Sequence, residues 1–499
     1  MTNVAVNLRE AAAMYPDADA LTLGERTVTF RAFDESASRV AAFLHAGGIG
    51  PGDRVGLMLP NVPAFAMLYY GILRAGAVVV PMNPLQSARE VDFFLSNTDA
   101  RLLFSHPDHA SAAHAGAASA GVPVCVVDDD GLAALTEHQA PVRDSVVRGD
   151  DDTAVILHTS GTTGVPKGAE LTHGNLQKNQ AVAARQVIRS GPDDVILACL
   201  PLFHAFGMTC ALNVAVATAA NLVMLPRFTG EDTLDLIARR RVTVFAGVPT
   251  MYSAMLHAAG EWNTGSLRIC LSGGAALPRE LLRGFEERFG CVVLEGYGLS
   301  ETSPLACFNP PDRERKIGSI GVPIEGVQMR VVDDRGVPVA SGVAGEIQIR
   351  GHNVMKGYSG LPEATAHTII DGWLATGDIG RTDDDGYFYV VDRKKALIIR
   401  GGYNVYPSEI EDVLYAHPAV AAAAVVGLPH ESLGEEVGAA VVLKRGSHAT
   451  PHELRAFVKE QVAAYKYPRK VWIADTLPMS ATGKILRREV RPPADMSLA

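Results

Sequence analysis

Ten of the chain's 499 residues, Thr159-Ser-Gly-Thr-Thr-Gly-Val-Pro-Lys-Gly168, hold four hydroxyls, three glycines and one lysine, straight after the apolar run Ala154-Val155-Ile156-Leu157. Glycines let the backbone come close to a ligand, while amides, hydroxyls and an ammonium group supply the donors that a polyphosphate needs. The common phosphate loop of nucleotide hydrolases carries glycine directly before its lysine and Ser or Thr directly after it, so that the hydroxyl reaches Mg2+. Here Pro166 precedes Lys167 and Gly168 follows it. Any phosphate grip in this chain must therefore rest on a different architecture. Composition alone would also allow a plain Gly/Ser/Thr surface loop.

A chain of this length exceeds what one hydrophobic core supports and implies several lobes. The formal net charge of -10, with no long basic run, argues against nucleic acid as a partner. Cys125, Cys199, Cys210, Cys270, Cys291 and Cys307 show no CxxC spacing and sit among apolar neighbours, so they read as reduced core thiols and form neither a zinc site nor a disulfide frame. The N-terminal residues lack the basic start and apolar stretch of a signal peptide. The most apolar stretch, Cys210 to Met224, is short and interrupted by Asn213, Thr218 and Asn221. The expectation is a cytoplasmic protein without a stable membrane span, monomeric or homodimeric.

Short apolar runs alternate with helical periodicity, which is the pattern of an α/β fold. Arg54 to Leu59 and Ala77 to Pro81 read as strands, with helices at Ala64 to Ala75 and Ser87 to Ser96. The alternation returns at Val195 to Leu200, Leu222 to Leu225, the helix Thr233 to Arg240, Val242 to Ala246 and Leu267 to Ser272. Two βα sheet lobes fit this order. Beyond about Ile317, strands at Val327 to Val332, Gly345 to Arg350 and Gly386 to Val391 suggest a β-rich lobe. A smaller α+β unit follows, with helices at Ser408 to Ala416 and His452 to Ala464 and strands at Ala421 to Val426 and Ala439 to Leu443. The predicted division is 1–392, a junction at 393–396, and 397–499.

Four more islands stand out: Glu295-Gly-Tyr-Gly-Leu-Ser-Glu-Thr302, Gly372-Trp-Leu-Ala-Thr-Gly-Asp378, Gly401-Gly-Tyr-Asn-Val-Tyr-Pro-Ser-Glu409 and Ser480-Ala-Thr-Gly-Lys-Ile-Leu-Arg487. With the opening loop, and in the same order along the chain, they resemble the adenylate-forming superfamily of acyl-CoA synthetases, aryl-CoA ligases, peptide-synthetase adenylation domains and beetle luciferases. The resemblance is greatest to bacterial fatty-acid-CoA ligases. It implies a large AMP-binding N-terminal domain, a small mobile C-terminal domain, and ATP, Mg2+ and coenzyme A as cofactors.

The resemblance also implies roles. Thr159, Ser160, Gly161, Thr162, Thr163, Gly164 and Lys167 would hold the β- and γ-phosphates. Glu301 would ligate Mg2+, as suits a hard cation, and Thr302 would contact the α-phosphate. Tyr297, between Gly296 and Gly298, would lie on adenine, with Gly274, Ala275 and Ala276 as a small-residue edge beneath it; a core aromatic is the other reading of Tyr297. Asp378 would accept both ribose hydroxyls, with Arg393 contacting ribose and phosphate. Lys484 would be the catalytic lysine of adenylation. Lys395 would be the hinge, whose rotation brings Gly401, Gly402 and Asn404 to a pantetheine path. Ala396 departs from the acidic residue that many relatives carry after the hinge, which puts in doubt the salt contacts that hold one conformer.

Acyl selectivity is expected from Pro201 to Met208, Val248 to Tyr252 and Pro304-Leu305, where the resemblance implies that His204 is the pocket gate; it is not expected to be a metal ligand, since no partner His or Cys lies at ligand spacing. Small and apolar Ala205, Gly207, Met208 and Ala211 suggest a deep apolar slot, and no Asp stands there to pair with an amino group. The expected substrate is a medium- or long-chain fatty acid. Alternatives are an aryl-propenoic acid, an acyl-AMP ligase that loads an acyl carrier protein, and a catalytically dead carboxylate sensor.

Overall fold

The computed structural model describes residues 3–159, 166–394, 397–401, 403–430, 432–480, 485–493 and 496, with the backbone alone at Arg393 and Asn404. Among these residues, two large sheets make up the first lobes. In one, Thr153–Thr159, Val78–Pro81, Arg54–Met58, Ala100–Ser105 and Val124–Val126 run parallel in that spatial order, and Lys167–Thr172 and Gly357–Tyr358 add antiparallel strands at one side. In the other, Val292–Gly298, Ile269–Ser272, Val244–Gly247, Val195–Ala198, Asn221–Met224 and Asp19–Leu23 run parallel, and Leu305–Phe308 pairs antiparallel with the Val292–Gly298 edge. Strands such as Val78–Pro81, with every residue buried, need the β-branched apolar runs that the sequence shows.

Local chemistry explains the elements that carry these sheets. The helix Pro63–Arg74 begins with proline in its first turn and is buried along its whole length, because it is packed on all sides. Gly71 makes this packing fit, since a Cβ there would stand 2.4 Å from Val40 Cγ1. Val40 belongs to the helix Phe30–Ala46, whose Phe33, Ala37, Val40, Ala41 and Leu44 form a buried stripe and whose Thr29 cap accepts from Ala32 N. The stretch Cys210 to Met224 is core: helical turns at Met208–Asn213 and Val214–Ala217 lead into the strand Asn221–Met224. Among the described residues, no helix is long and apolar enough to cross a membrane.

The β-rich lobe is an antiparallel sheet in which Trp373–Thr382 lies between Gly345–Gly351 and Phe388–Arg393, with Val327–Val332 outside Gly345–Gly351. From Ile398 onward the chain forms a sheet of its own. There Gly434–Leu443 pairs with Val420–His430, Ile398–Arg400 and, in parallel, Lys470–Ile473. The helices Pro407–Tyr415 and Pro451–Lys459 cover it, and Ile398, Val405, Ile410, Leu414, Val437 and Leu454 belong to its separate core. The expected α/β class, with two βα lobes, a β-rich lobe and a smaller α+β unit, describes this architecture.

Candidate active site

The described residues on either side of the opening loop belong to the paired strands Thr153–Thr159 and Lys167–Thr172. Thr159 pairs with Lys167 in antiparallel register, and His158 with Gly168. Gly168 allows that pairing, because a Cβ there would lie 2.8 Å from Ile156 Cγ2. Ser160, Gly161, Thr162, Thr163 and Gly164 lie outside the described residues. The Lys167 ammonium stands 5.0 Å from the centre of the Tyr358 ring. Tyr358 is on the short strand Gly357–Tyr358, paired with Lys167–Thr172, and its hydroxyl donates to Glu301 Oε1 at 3.0 Å. Burial and the Glu301 carboxylate push the Tyr358 phenol above its ordinary pKa. Lys167, Tyr358 and Glu301 therefore meet, although 134 residues separate the lysine from the glutamate.

The strand Val292–Gly298 delivers the second island. Gly296 and Gly298 answer to protein packing: a Cβ on Gly296 would come within 2.3 Å of the Phe308 ring, and one on Gly298 within 1.7 Å of Pro304 O. Between them, Tyr297 donates its hydroxyl to Asp378 Oδ2 at 2.5 Å, and burial followed by that carboxylate raises the Tyr297 pKa strongly. After Gly298 the chain turns through Ser300–Thr302. Thr302 is fully buried; its Oγ1 accepts from Leu299 N at 2.8 Å and donates to Pro304 O at 2.6 Å.

Asp378 is held from below. Its N–H donates to Thr376 Oγ1 at 3.0 Å, and the Gly377 N–H donates to Glu346 Oε1 at 3.0 Å. Glu346 also accepts from Lys394 Nζ at 3.2 Å, and Lys394 N donates to Gly377 O. Asp378 stands directly opposite Arg393 in the register of Trp373–Thr382 against Phe388–Arg393. Tyr358 and Glu346 were not singled out from the sequence, since strand pairing brings each in and neither lies in one of the motifs; Thr376 lies within the Gly372 to Asp378 island, but no role was read for it there.

Beyond Ser272, Gly274 adopts φ +80°, a conformation for which glycine is suited, and Gly274, Ala275 and Ala276 are exposed. Gly273 abuts the Phe206 ring, and a Cβ on Gly274 would lie 3.4 Å from Val248 Cγ1. His204 precedes the turn Ala205–Gly207, and its ring accepts from Phe206 N. Ala205, Met208 and Ala211 are buried. At Gly207 a Cβ would lie 2.4 Å from Pro201 O, so the turn leaves no room for a side chain there.

Gly401 adopts φ +56°, is exposed, and its N–H donates to Leu433 O at 2.8 Å. Asn404 pairs with Ile399 through the backbone. Lys395, Ala396, Gly402 and Lys484 lie outside the described residues, as do the side chains of Arg393 and Asn404.

A single carboxylate at Glu301, already oriented by Tyr358, suits Mg2+, which is commonly held by one or two carboxylates together with substrate phosphates. Among the described residues no group of three or more His, Cys, Asp or Glu is arranged to hold a metal.

Two family models match the chain: the AMP-binding enzyme at residues 8–359 and the AMP-binding enzyme C-terminal domain at 409–484. The chain is 36% identical to a long-chain-fatty-acid–CoA ligase of Bacillus subtilis, over 97% of this chain and 93% of that one. It is 39% identical to a feruloyl-CoA synthase of Amycolatopsis, over 96% of each. Among solved structures, ATP-bound MatB from Rhodopseudomonas palustris is 34% identical and superposes with a TM-score of 0.92, over 98% of this chain and 97% of that one. The apo form of the same MatB, with the same coverage, gives 0.81. The chain belongs to the AMP-binding enzyme family, and it is an AMP-forming acid–thiol ligase that uses ATP and coenzyme A.

Proposed function

We propose that the enzyme activates a medium- or long-chain fatty acid as its acyl-adenylate, with release of pyrophosphate, and transfers the acyl group to the thiol of coenzyme A. A carboxylate oxygen is a poor leaving group until it is joined to AMP. In-line attack on the α-phosphate needs positioning and charge neutralisation more than covalent help. In this reading Thr159, Lys167 and the residues 160–164 hold the β- and γ-phosphates. Tyr297 lies on adenine, with Gly274, Ala275 and Ala276 along its edge, and Asp378 binds the ribose beside Arg393. The 2.5 Å bond from Tyr297 to Asp378 supports placing both groups on one nucleoside. Thr302 shapes the turn beside the α-phosphate. Glu301 is the residue that would hold Mg2+, whose charge, when bound, offsets that of the phosphates. Lys484 orients the carboxylate and α-phosphate, and rotation about Lys395 brings Gly401, Gly402 and Asn404 to the pantetheine path, with His204 as the gate. The boundaries 1–392, 393–396 and 397–499 belong to the same reading.

The observation that carries the fatty-acid assignment is how the polar groups around the His204 turn are paired. Thr209 Oγ1 donates to Ser303 O, Asn213 bonds with Tyr69 and Tyr70, and Asn179 Nδ2 donates to Leu305 O. These groups are spent within the protein, and residues 201 to 216 contain no Asp, Glu, Lys or Arg. An acid with a polar or charged tail would lose its hydration there without gaining a partner. The Bacillus subtilis relative agrees with this assignment; the Amycolatopsis relative favours an aryl-propenoic acid as the second reading.

The test is kcat/KM across a series of straight-chain acids beside 4-coumarate, ferulate and malonate. Burial of each added methylene should raise kcat/KM roughly fourfold, from about 0.8 kcal/mol per CH2, until the slot is full. An optimum at ferulate or malonate would remove the fatty-acid assignment. Thioester formed with a carrier protein but not with coenzyme A would indicate the carrier-loading alternative.

A further inference from the structure

Arg487 lies three residues after Lys484 and opens the turn Arg487–Glu489. Its guanidinium reaches in two directions. Nη1 donates to Asp392 Oδ1 at 3.2 Å, while Nε donates to Glu411 Oε1 at 2.9 Å and Nη2 to Glu411 Oε2. Asp392, whose side chain is 1% exposed, belongs to the strand Phe388–Arg393 and precedes Arg393, the register partner of Asp378. Its Oδ2 accepts from Ser408 N at 2.9 Å and from Ser408 Oγ at 2.8 Å, in the first turn of the helix Pro407–Tyr415. Glu411 lies on that helix and also accepts from Val425 N at 2.8 Å. One aspartate on the strand beside the ribose-side carboxylate is thus gripped by two segments of the C-terminal sheet unit, and Arg487 joins all three.

We infer that Arg487 is a positioning residue for the adenylation half-reaction: by clamping Asp392 to Glu411 it holds the C-terminal unit in the orientation that presents the Lys484 segment to the nucleotide. The inference rests on the reading of Lys484 and of the junction given above. Two carboxylates share one guanidinium, and Asp412, the next residue on the helix, adds a third acidic group near Arg279. Removing the guanidinium leaves carboxylates facing one another in a buried seam, which drives the two units apart. Because Ala396 brings no charge to the junction, the pair Arg487–Asp392 is an ion pair available to set this orientation. For the second half-reaction the clamp has to open.

The experiment measures two half-reactions in the full-length enzyme: acid-dependent exchange of pyrophosphate into ATP, and thioester formation from chemically supplied acyl-adenylate and coenzyme A. Arg487→Gln is expected to lower exchange about 100-fold, somewhat less than removing one partner of a fully buried ion pair would cost, because the Arg487 side chain is 30% exposed. Thioester formation should stay within about threefold of the unmodified enzyme. Arg487→Lys should recover part of the exchange, and Asp392→Asn combined with Arg487→Gln should be no worse than Arg487→Gln alone. Melting temperatures identify any variant that fails to fold, and Arg487→Lys and Asp392→Asn then carry the comparison. Equal loss of both half-reactions, or unchanged exchange in Arg487→Gln, would overturn the clamp. Absence of exchange in the unmodified enzyme with every acid would overturn the underlying reading instead.

Discussion

Glu295 offers a prediction with a magnitude. It is 4% exposed, directly precedes Gly296 and Tyr297, and accepts from Leu277 N at 2.9 Å through Oε1. Among the described residues its Oε2 has no partner. Burial, partly opposed by the Leu277 N–H and reinforced by Asp412, pushes its carboxyl from 4.5 up to about 8. The folded protein therefore keeps the group protonated at a pH where the unfolded chain has lost the proton. Stability from this group is complete below the unfolded value of 4.5 and is lost as pH rises through about 8. Between about pH 5 and pH 8 the loss amounts to roughly 3 kcal/mol at about 1.4 kcal/mol per tenfold change. Glu295→Gln keeps the acceptor for Leu277 N and cannot ionise. Thermal unfolding at a fixed scan rate should show the variant and the unmodified protein melting together at pH 5. At pH 8 the variant should melt higher by roughly 4 °C, the shift that such a free energy gives in a domain of this size. A difference that is the same at both pH values would refute the assignment of a buried, neutral Glu295.

Two further outcomes follow from the site. Lys484→Ala should cripple acyl-adenylate formation, by about 100-fold or more in pyrophosphate exchange, yet spare thioester formation from supplied adenylate; equal loss of both would remove its catalytic assignment. Gly298→Ala would drive a methyl group into Pro304 O at 1.7 Å, so the strand end must move; a loss of about 3 kcal/mol or more in denaturant unfolding is expected, and unchanged stability would contradict the packing.

Much of the fold is legible in the sequence because its strands are short apolar runs separated by turn residues. The strand predicted at Arg54 to Leu59 is Arg54–Met58, and the one at Val327 to Val332 is found at those residues. The helix Phe30–Ala46 went unread, although its buried positions recur at helical spacing. Some glycines have an internal reason that the sequence does not display: a side chain at Gly296, Gly298 or Gly207 would meet the Phe308 ring, Pro304 O or Pro201 O. Tyr358, Glu346 and Asp392 were invisible for another reason: strand pairing and helix docking across the fold bring each to its partner, and no local pattern marks that in a single chain.

The central claim is that this chain makes an acyl-adenylate and then an acyl thioester. The most direct measurement follows ATP, AMP, ADP, pyrophosphate and phosphate together across a panel of carboxylic acids, with and without coenzyme A, and identifies the acyl products by mass. The account predicts acyl-adenylate and pyrophosphate without coenzyme A, and acyl-CoA with AMP and pyrophosphate in equal amounts when it is present, at the highest rate for medium or long straight-chain acids. Formation of ADP and phosphate, or thioester formation with no acyl-adenylate intermediate, would contradict it.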